Sequence, residues 1–159
     1  MLEPATPDNA ETRAQPYVNT EPSGKSNKPR LGCAVIVEKD HKILLGVRAK
    51  EPFKGKWVIP GGGVKFLESF RETAKREIRE EVGIDIDVDR VLDIYEIVNP
   101  PDEHRVIIYC FARYLGGEIR PSSDLSEAKF FNREQIISLI AQNAITPTVE
   151  QVLRDFDWA

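Results

Sequence analysis

Three glutamates lie close together near the end of one predicted helix. Glu77 comes three residues before Glu80 and four before Glu81, so the three carboxylates project from the same side of the helix. Like charges at these spacings repel each other by roughly 0.2–0.5 kcal/mol per pair. Clusters of carboxylate oxygens bind hard divalent cations such as Mg²⁺ or Mn²⁺. The spacing therefore predicts a metal site on this helix.

The apolar pattern places part of this acidic cluster against the core. The predicted helix begins after Ser69, which forms a capping box with Glu72, and it ends at Gly83. At about 100° per residue, Glu81 falls almost within the buried stripe and Glu77 falls on its edge. The stripe itself recurs every four positions: Phe70, Ala74, Ile78 and Val82. Because a buried carboxylate without a partner is costly, a cation is expected beside Glu81.

The alternative is a solvated acidic face, which is common on helices that are rich in glutamate. Here the basic residues compensate poorly, because Lys75 and Arg79 lie on the far side of the helix from Glu77. Arg76 is the basic residue that lies near Glu80. The pattern therefore favours a metal site.

Residues 62–84 resemble the signature of the Nudix hydrolases, G-x5-E-x7-R-E-U-x-E-E-x-G-U, in which U is an aliphatic residue. The residues that fill its specified positions are Gly62, Glu68, Arg76, Glu77, Ile78, Glu80, Glu81, Gly83 and Ile84. The resemblance extends more loosely from Leu31 to Phe131. It implies a metal-dependent enzyme that hydrolyses a nucleoside diphosphate linked to another group.

The resemblance also implies roles for the residues of the signature. Glu77, Glu80 and Glu81 are expected to bind Mg²⁺ or Mn²⁺, with Glu68 assisting. Arg76 is expected to orient a neighbouring glutamate through charge-assisted hydrogen bonds.

Many relatives take a further acid from a loop that is distant in sequence. Asp124 and Glu127 lie in and after such a loop, and both are candidates for the general base or for a further metal ligand. The alternative for each is a solvated loop acid.

Three glycines precede the signature helix and predict a loop. Glycine permits positive φ and close approach of the backbone to a ligand, so Gly61, Gly62 and Gly63 are candidate substrate-binding residues. The alternative is a tight loop that only leads into the helix. Arg48, at the end of a predicted strand, is a further candidate substrate contact.

The substrate is indicated by two features outside the signature. Pro100 lies sixteen residues beyond Ile84, where relatives that cleave ADP-ribose often carry proline, and residues 52–57 also resemble small ADP-ribose and nucleotide-sugar hydrolases. Pro100 could instead simply end a strand. The resemblance implies ADP-ribose or a related nucleotide sugar; the alternatives are a nucleoside triphosphate pyrophosphatase and a non-catalytic regulator that binds nucleotides.

The remaining segments predict an α/β/α sandwich with a mixed sheet, which is also the architecture that the resemblance implies. Several predicted strands are apolar on both faces, so both faces of the sheet need cover. Predicted strands are 32–38, 43–48, 57–60, 86–98, 104–114 and 128–131, and further helices are 133–142 and one that begins at Pro147. Residues 115–118 are expected to form a turn.

Composition narrows the class of protein. The 159 residues carry a net charge of −4, which argues against binding a nucleic acid polymer and leaves a small nucleotide as the expected partner. No apolar run is long enough to span a bilayer and no signal peptide is visible, so a cytoplasmic location is expected. Cys33 and Cys110 lie in apolar runs and are expected to be buried free thiols.

The chain divides into two predicted parts. Residues 1–29 are rich in proline and polar residues and are expected to form a flexible tail. The resemblance implies that residues 30–159 form a Nudix hydrolase domain. The alternative for the tail is an arm that docks on a partner subunit, and a homodimer is therefore a possible assembly.

Overall fold

The computed structural model describes residues 28–159 and shows a seven-stranded sheet with helices on both faces. The strands are β1 (Arg30–Lys39), β2 (Lys42–Arg48), β3 (Trp57–Val58), β4 (Gly61–Gly63), β5 (Ile84–Asn99), β6 (Glu103–Gly117) and β7 (Leu125–Phe131). The helices are α1 (Phe70–Val82), α2 (Arg133–Ala141) and α3 (Pro147–Asp155). The predicted tail falls almost entirely outside the described residues.

The sheet is mixed, as predicted. The main strand order is β3-β2-β1-β6-β5, while β4 pairs with β1 and β7 pairs with β2. The β1–β6 pair is parallel and the other pairs are antiparallel. β1 therefore lies at the centre, next to the strand that precedes the acidic helix.

Two apolar clusters cover the two faces of β1, because its side chains alternate between them. Val35 and Val37 pack with Ile78 of α1 on one face. Ile36 packs on the other face with Ile136 of α2, and the residues of α3 join the same cluster. The predicted α/β/α sandwich is confirmed, with α1 alone on one side and α2 and α3 on the other.

The limits of the acidic helix are confirmed. Ser69 and Glu72 form the predicted capping box, and Gly83 ends α1 in the left-handed conformation with φ of 83°. Ile78 and Val82 are fully buried in the predicted stripe. These caps fix where the glutamates lie relative to the sheet.

Three local predictions differ from the structure. Gly61–Gly63 is the strand β4 and not a loop, and none of these glycines has positive φ. Residues 115–117 continue β6 and do not form a turn, because Gly117 pairs with Ile84 at the start of β5. The strand predicted at 57–60 comprises only Trp57–Val58.

Cys33 and Cys110 are buried free thiols, as predicted, with their Sγ atoms 3.7 Å apart. Among residues 28–159, no helix is long and apolar enough to cross a membrane.

Candidate active site

Glu81 is a carboxylate buried at the junction of α1 and β4. Its residue is 5% exposed, and its Oε2 accepts a hydrogen bond of 3.1 Å from the backbone N–H of Gly61. Burial, together with the negative charges of Glu77 and Asp124, raises the pKa of Glu81 to about 8. The Gly61 amide and the positive charge of Arg48 act in the opposite direction. The predicted burial of this acid is thus observed.

Glu77 lies against the same strand. Its carboxyl group occupies the space above the Cα of Gly62, where an added Cβ would lie 2.2 Å from Glu77 Cδ. At Gly61 an added Cβ would lie 2.1 Å from the carbonyl oxygen of Cys33. Glycine is therefore required here for close packing with α1 and β1, and not for a turn.

Arg76 connects the glutamates of the signature. Its guanidinium donates to Glu77 Oε1 at 2.6 Å, to Glu80 Oε2 at 3.4 Å and to the carbonyl oxygen of Gly63 at 3.0 Å. It also forms a two-pronged pair with Glu68, through Nε at 2.7 Å and Nη2 at 2.9 Å. Such planar pairs restrict both partners, so Arg76 fixes where Glu77 lies.

Glu68 is saturated with donors. Besides Arg76, the hydroxyl of Thr73 donates to it at 2.7 Å and the backbone N–H of Lys65 donates at 3.2 Å. The hydrogen bonds from Arg76 lower its pKa to about 2, and those from Thr73 and Lys65 act in the same direction. Both oxygens of Glu68 are thus occupied by hydrogen bonds, and Glu68 holds the guanidinium of Arg76 in place.

Glu80 is the accessible member of the cluster, with 55% of its side chain exposed. It lies at the edge of an open cleft with a volume of about 620 Å³ along the outer side of α1. The cleft also contains Lys75, Arg79 and Leu115. This arrangement leaves one signature glutamate open to solvent beside Lys75 and the ion pair of Arg79 with Asp85.

The loop that precedes β7 is tied to the end of α1. Ser122 donates through its hydroxyl to the carbonyl oxygen of Glu80 at 2.5 Å, and through its N–H to that of Glu81 at 2.9 Å. Asp124 follows in this loop, and its carboxylate pairs with Lys50 Nζ at 2.6 Å. The negative charge of Asp124 raises the pKa of Glu81, so these two acids lie near each other.

The other two predicted site residues lie on opposite faces of the sheet. The positive charge of Arg48 lowers the pKa of Glu81. Arg48 also pairs with Leu125 of β7, which packs in the cluster beneath α1. Glu127 pairs with Val47 and contacts Lys129, which lies over the ring of Trp57 on the side of α2 and α3. The structure thus does not bring Glu127 to the glutamates of α1.

The donor set fits a hard divalent cation. Within residues 28–159, no three acidic, histidine or cysteine side chains already lie close enough together to enclose a metal ion. Instead, Arg76 pairs with Glu77 and Glu80. All the donors are carboxylate oxygens, which suit Mg²⁺ or Mn²⁺, and Glu81 is buried beside another anion. A bound cation would offset both the cost of burying the Glu81 carboxylate and its repulsion from Glu77.

Three residues of this site were not predicted. Thr73 is fully buried and holds Glu68, Ser122 joins the distant loop to α1, and Lys50 pairs with Asp124. Thr73 follows Phe70 by one helical turn, which was a usable signal for a position facing inward. The contacts of Ser122 and Lys50 join segments that are far apart in sequence, so no local sequence pattern indicates them.

The chain belongs to the Nudix family: the family model described as NUDIX domain matches residues 27–156. An ADP-ribose pyrophosphatase from Methanocaldococcus jannaschii is 33% identical over 129 residues, which are 80% of this chain and 73% of that protein. An NAD-capped RNA hydrolase from Pseudomonas aeruginosa is 30% identical over 125 residues, 77% of this chain but only 44% of that longer protein.

Solved structures agree with this assignment. A NUDIX hydrolase from Nitrosomonas europaea superimposes with a TM-score of 0.70 at 25% identity, covering 81% of this chain and 70% of that one. The chain is thus a Nudix hydrolase, an enzyme of the class that acts on diphosphate-containing substrates.

Proposed function

We propose that the chain hydrolyses the diphosphate linkage of ADP-ribose or a related nucleotide sugar, with Mg²⁺ or Mn²⁺ as cofactor. The observation that carries the proposal is Glu81, a buried carboxylate held beside Glu77 and the glycine strand. The similarity to an ADP-ribose pyrophosphatase over most of both chains supports this choice of substrate.

Glu77, Glu80 and Glu81 are the residues that would hold the metal. When bound, a divalent cation makes a coordinated water more acidic and offsets the negative charge of the diphosphate oxygens. Glu81 is fixed by the Gly61 amide, and Glu77 is fixed by Arg76 and by its packing over Gly62. Two of the three donors are therefore positioned in advance, while Glu80 remains accessible.

Arg76 and Glu68 act as positioning residues in this proposal. Both oxygens of Glu68 already accept hydrogen bonds from Arg76, Thr73 or Lys65, which leaves them poorly placed to bind a cation. Glu68 was predicted to assist in metal binding; we propose instead that it acts through Arg76, which in turn orients Glu77.

Asp124 is the proposed general base. It lies close enough to Glu81 for the two charges to interact, and the Ser122 contacts fix its loop against the end of α1. Its ion pair with Lys50, at 2.6 Å, orients the carboxylate. Glu127 lies on the opposite face of the sheet and is the weaker candidate.

Substrate binding is assigned to cationic groups and exposed backbone around this cluster. Arg48 lies on the same face as Glu81, and Lys75 and Arg79 line the cleft beside Glu80. Gly61, Gly62 and Gly63 present backbone without side chains next to the glutamates. These groups suit a substrate that carries two phosphates.

The runner-up activity is a nucleoside triphosphate pyrophosphatase, and a nucleotide-binding regulator without catalysis is a further alternative. The site chemistry serves either diphosphate or triphosphate substrates, whereas a non-catalytic relative would not need the complete signature that this chain retains.

The test is hydrolysis of a panel of substrates with excess Mg²⁺ or Mn²⁺. The panel contains ADP-ribose, other nucleotide sugars, nucleoside triphosphates and NAD. We expect the highest kcat/KM for ADP-ribose or another nucleotide sugar, with release of nucleoside monophosphate. Glu81→Gln serves as the inactive control. A preference for triphosphates would replace the proposed substrate, and turnover equal to that of Glu81→Gln on every compound would contradict an enzymatic role.

A further inference from the structure

The loop that joins β2 to β3 presents an aromatic ring to solvent. It comprises residues 49–56, and Phe53 in its middle is 50% exposed. Phe53 belongs to neither of the two apolar clusters that the described residues form. Its ring is therefore not needed to fill the interior of the protein.

Hydrogen bonds hold this loop in one shape. The N–H of Gly55 donates to the carbonyl oxygen of Arg48 at 2.8 Å, and the N–H of Lys56 donates to that of Phe53 at 3.0 Å. The side chain of Arg48 also donates through Nε to the carbonyl oxygen of Pro52 at 2.6 Å. A loop restrained in this way loses little conformational entropy when it binds a ligand.

The backbone of Phe53 adopts a conformation that its residue type disfavours. Its φ is 67°, in the left-handed region that glycine adopts without steric cost. Strained residues of this kind cluster at active sites and ligand sites. Because the ring adds little to the core, a glycine would serve the fold better at this position. The aromatic side chain therefore indicates a role in binding.

The start of the loop is attached to the proposed general base. The N–H of Ala49 donates to the carbonyl oxygen of Asp124 at 2.8 Å, and Lys50 pairs with the Asp124 carboxylate. Asp124 is in turn connected through Ser122 to the end of α1. The loop thus lies at the same end of α1 as the catalytic groups.

The middle of the loop is connected to the buried glutamate. Arg48 lies close enough to Glu81 for their charges to interact. The same arginine side chain holds the carbonyl of Pro52, the residue that precedes Phe53. Phe53 is therefore next to a peptide group that is bonded directly to a proposed substrate contact.

The loop combines its aromatic ring with an excess of positive charge. Between residues 48 and 56 the basic residues are Arg48, Lys50, Lys54 and Lys56, and the acidic residue is Glu51. Cationic side chains bind phosphate groups, and an exposed aromatic ring stacks on the flat face of a nucleobase. The chemistry of the loop therefore matches a phosphorylated nucleoside.

We propose that Phe53 stacks on the nucleobase of the substrate, so that residues 49–56 bind the nucleoside half of the molecule. This inference rests on the proposed function, because it takes the substrate to be a nucleotide. Stacking uses the π-face that every base has, so Phe53 separates compounds with a base from compounds without one. The group linked to the diphosphate then lies outside this loop.

Isothermal titration calorimetry with the full chain and excess Mg²⁺ tests the proposal. The two probes are AMP and ribose 5-phosphate, which share a phosphorylated ribose and differ in the base. We expect the wild type to bind AMP about tenfold more tightly, because stacking on an aromatic ring contributes that much. Phe53→Ala and Phe53→Leu should lose most of this preference, whereas Phe53→Tyr and Phe53→Trp should keep it.

A matched control and a further variant separate stacking from folding. Phe66→Ala removes a phenylalanine that is 92% exposed before the start of α1, and it should leave both Kd values unchanged. Phe53→Gly should lose the preference for AMP and yet melt no lower than the wild type, because glycine relieves the positive φ. Thermal melts of every variant provide this comparison.

Steady-state kinetics give an independent measurement. For the preferred nucleotide, Phe53→Ala should raise KM about tenfold and leave kcat within about twofold, because stacking is equal in the ground state and the transition state.

The contrary outcomes are distinct. A Phe53→Ala variant with the preference for AMP of the wild type overturns the inference, and hydrolysis of nucleotides by the same protein would leave the proposed function standing. Equal losses in Phe53→Ala and Phe66→Ala, or a wild type without preference for AMP, also overturn it. A wild type that hydrolyses no nucleotide contradicts the proposed function, and the inference fails with it.

Discussion

The carboxyl group of Glu77 takes the place that a side chain on Gly62 would need. A Cβ at position 62 would lie 2.2 Å from Glu77 Cδ and 2.3 Å from its Oε1. The glycine strand and the acidic helix are therefore matched to each other, and neither can change alone without moving a proposed metal ligand.

Gly62→Ala is expected to reduce kcat/KM at least tenfold while leaving the fold intact, because the methyl group displaces the Glu77 carboxylate. Gly63→Ala is the matched control, since an added Cβ there meets no atom within 4 Å. Steady-state kinetics with saturating Mg²⁺ and a thermal melt of both variants provide the measurement. Equal activity of the two variants would show that the position of Glu77 does not matter.

Glu81→Gln is expected to stabilise the metal-free protein in a pH-dependent manner. The pKa of Glu81 is about 8 in the folded protein, above the ordinary value of 4.5, so the folded state binds the proton more tightly. Ionisation of Glu81 then lowers the stability of the wild type as pH rises from about 5 to 8. In EDTA the variant should melt several degrees above the wild type at pH 8, and the difference should shrink at pH 5.5.

Excess Mg²⁺ should reverse this order. The cation binds the folded wild type and raises its Tm by about 5–10 °C, whereas the shift for Glu81→Gln should be much smaller. Glu118→Gln, which alters a side chain that is 79% exposed, controls for removal of an acid elsewhere. A metal shift of the same size in Glu81→Gln as in the wild type would exclude Glu81 as a ligand.

Glu68→Gln and Arg76→Lys are expected to act through the same interaction. Each change removes part of the two-pronged pair and should lower kcat about tenfold with little effect on KM. Because both act on the orientation of Glu77, the double variant should lose little more activity than either single variant. Additive losses in this double-mutant cycle would indicate that Glu68 has a separate role, such as metal binding.

Asp124→Asn and Glu127→Gln distinguish the two candidate bases. Asp124→Asn should lower kcat at least tenfold, because this carboxylate interacts with Glu81. Glu127→Gln should leave kcat within twofold of the wild type, because Glu127 lies on the other face beside Lys129. The opposite ranking of the two variants would transfer the role of base to Glu127.

Local signals were sufficient to predict the acidic helix. Ser69 and Gly83 define its ends through contacts within a few residues, and the four-residue apolar period sets which side is buried. That phase alone places Glu81 inside and Glu80 outside, as the structure shows. The helix and its acids were therefore predictable from one stretch of sequence.

Pairing between distant segments was not predictable in the same way. Three consecutive glycines have no strand propensity, yet Gly61–Gly63 is a strand because β1 pairs with it. The choice between Asp124 and Glu127 depends on the register of β7 against β2, which includes a bulge at Val47 and Arg48. A shift of one residue in this register would move each side chain of β7 to the other face of the sheet. Both Asp124 and Glu127 therefore remained candidates for the general base from the sequence alone.

The parallel pairing of β1 with β6 also has a consequence for the order in which this enzyme folds. Cys33 lies opposite Ile108, and the helix with its glutamates is synthesised between them. Contacts between segments so far apart in sequence form slowly, because the intervening chain must be closed into a loop first. On the ribosome, the acidic helix is therefore synthesised before β6, the strand that completes the surface beneath it. During that interval its apolar stripe is uncovered, and the proposed metal ligands cannot yet be in place.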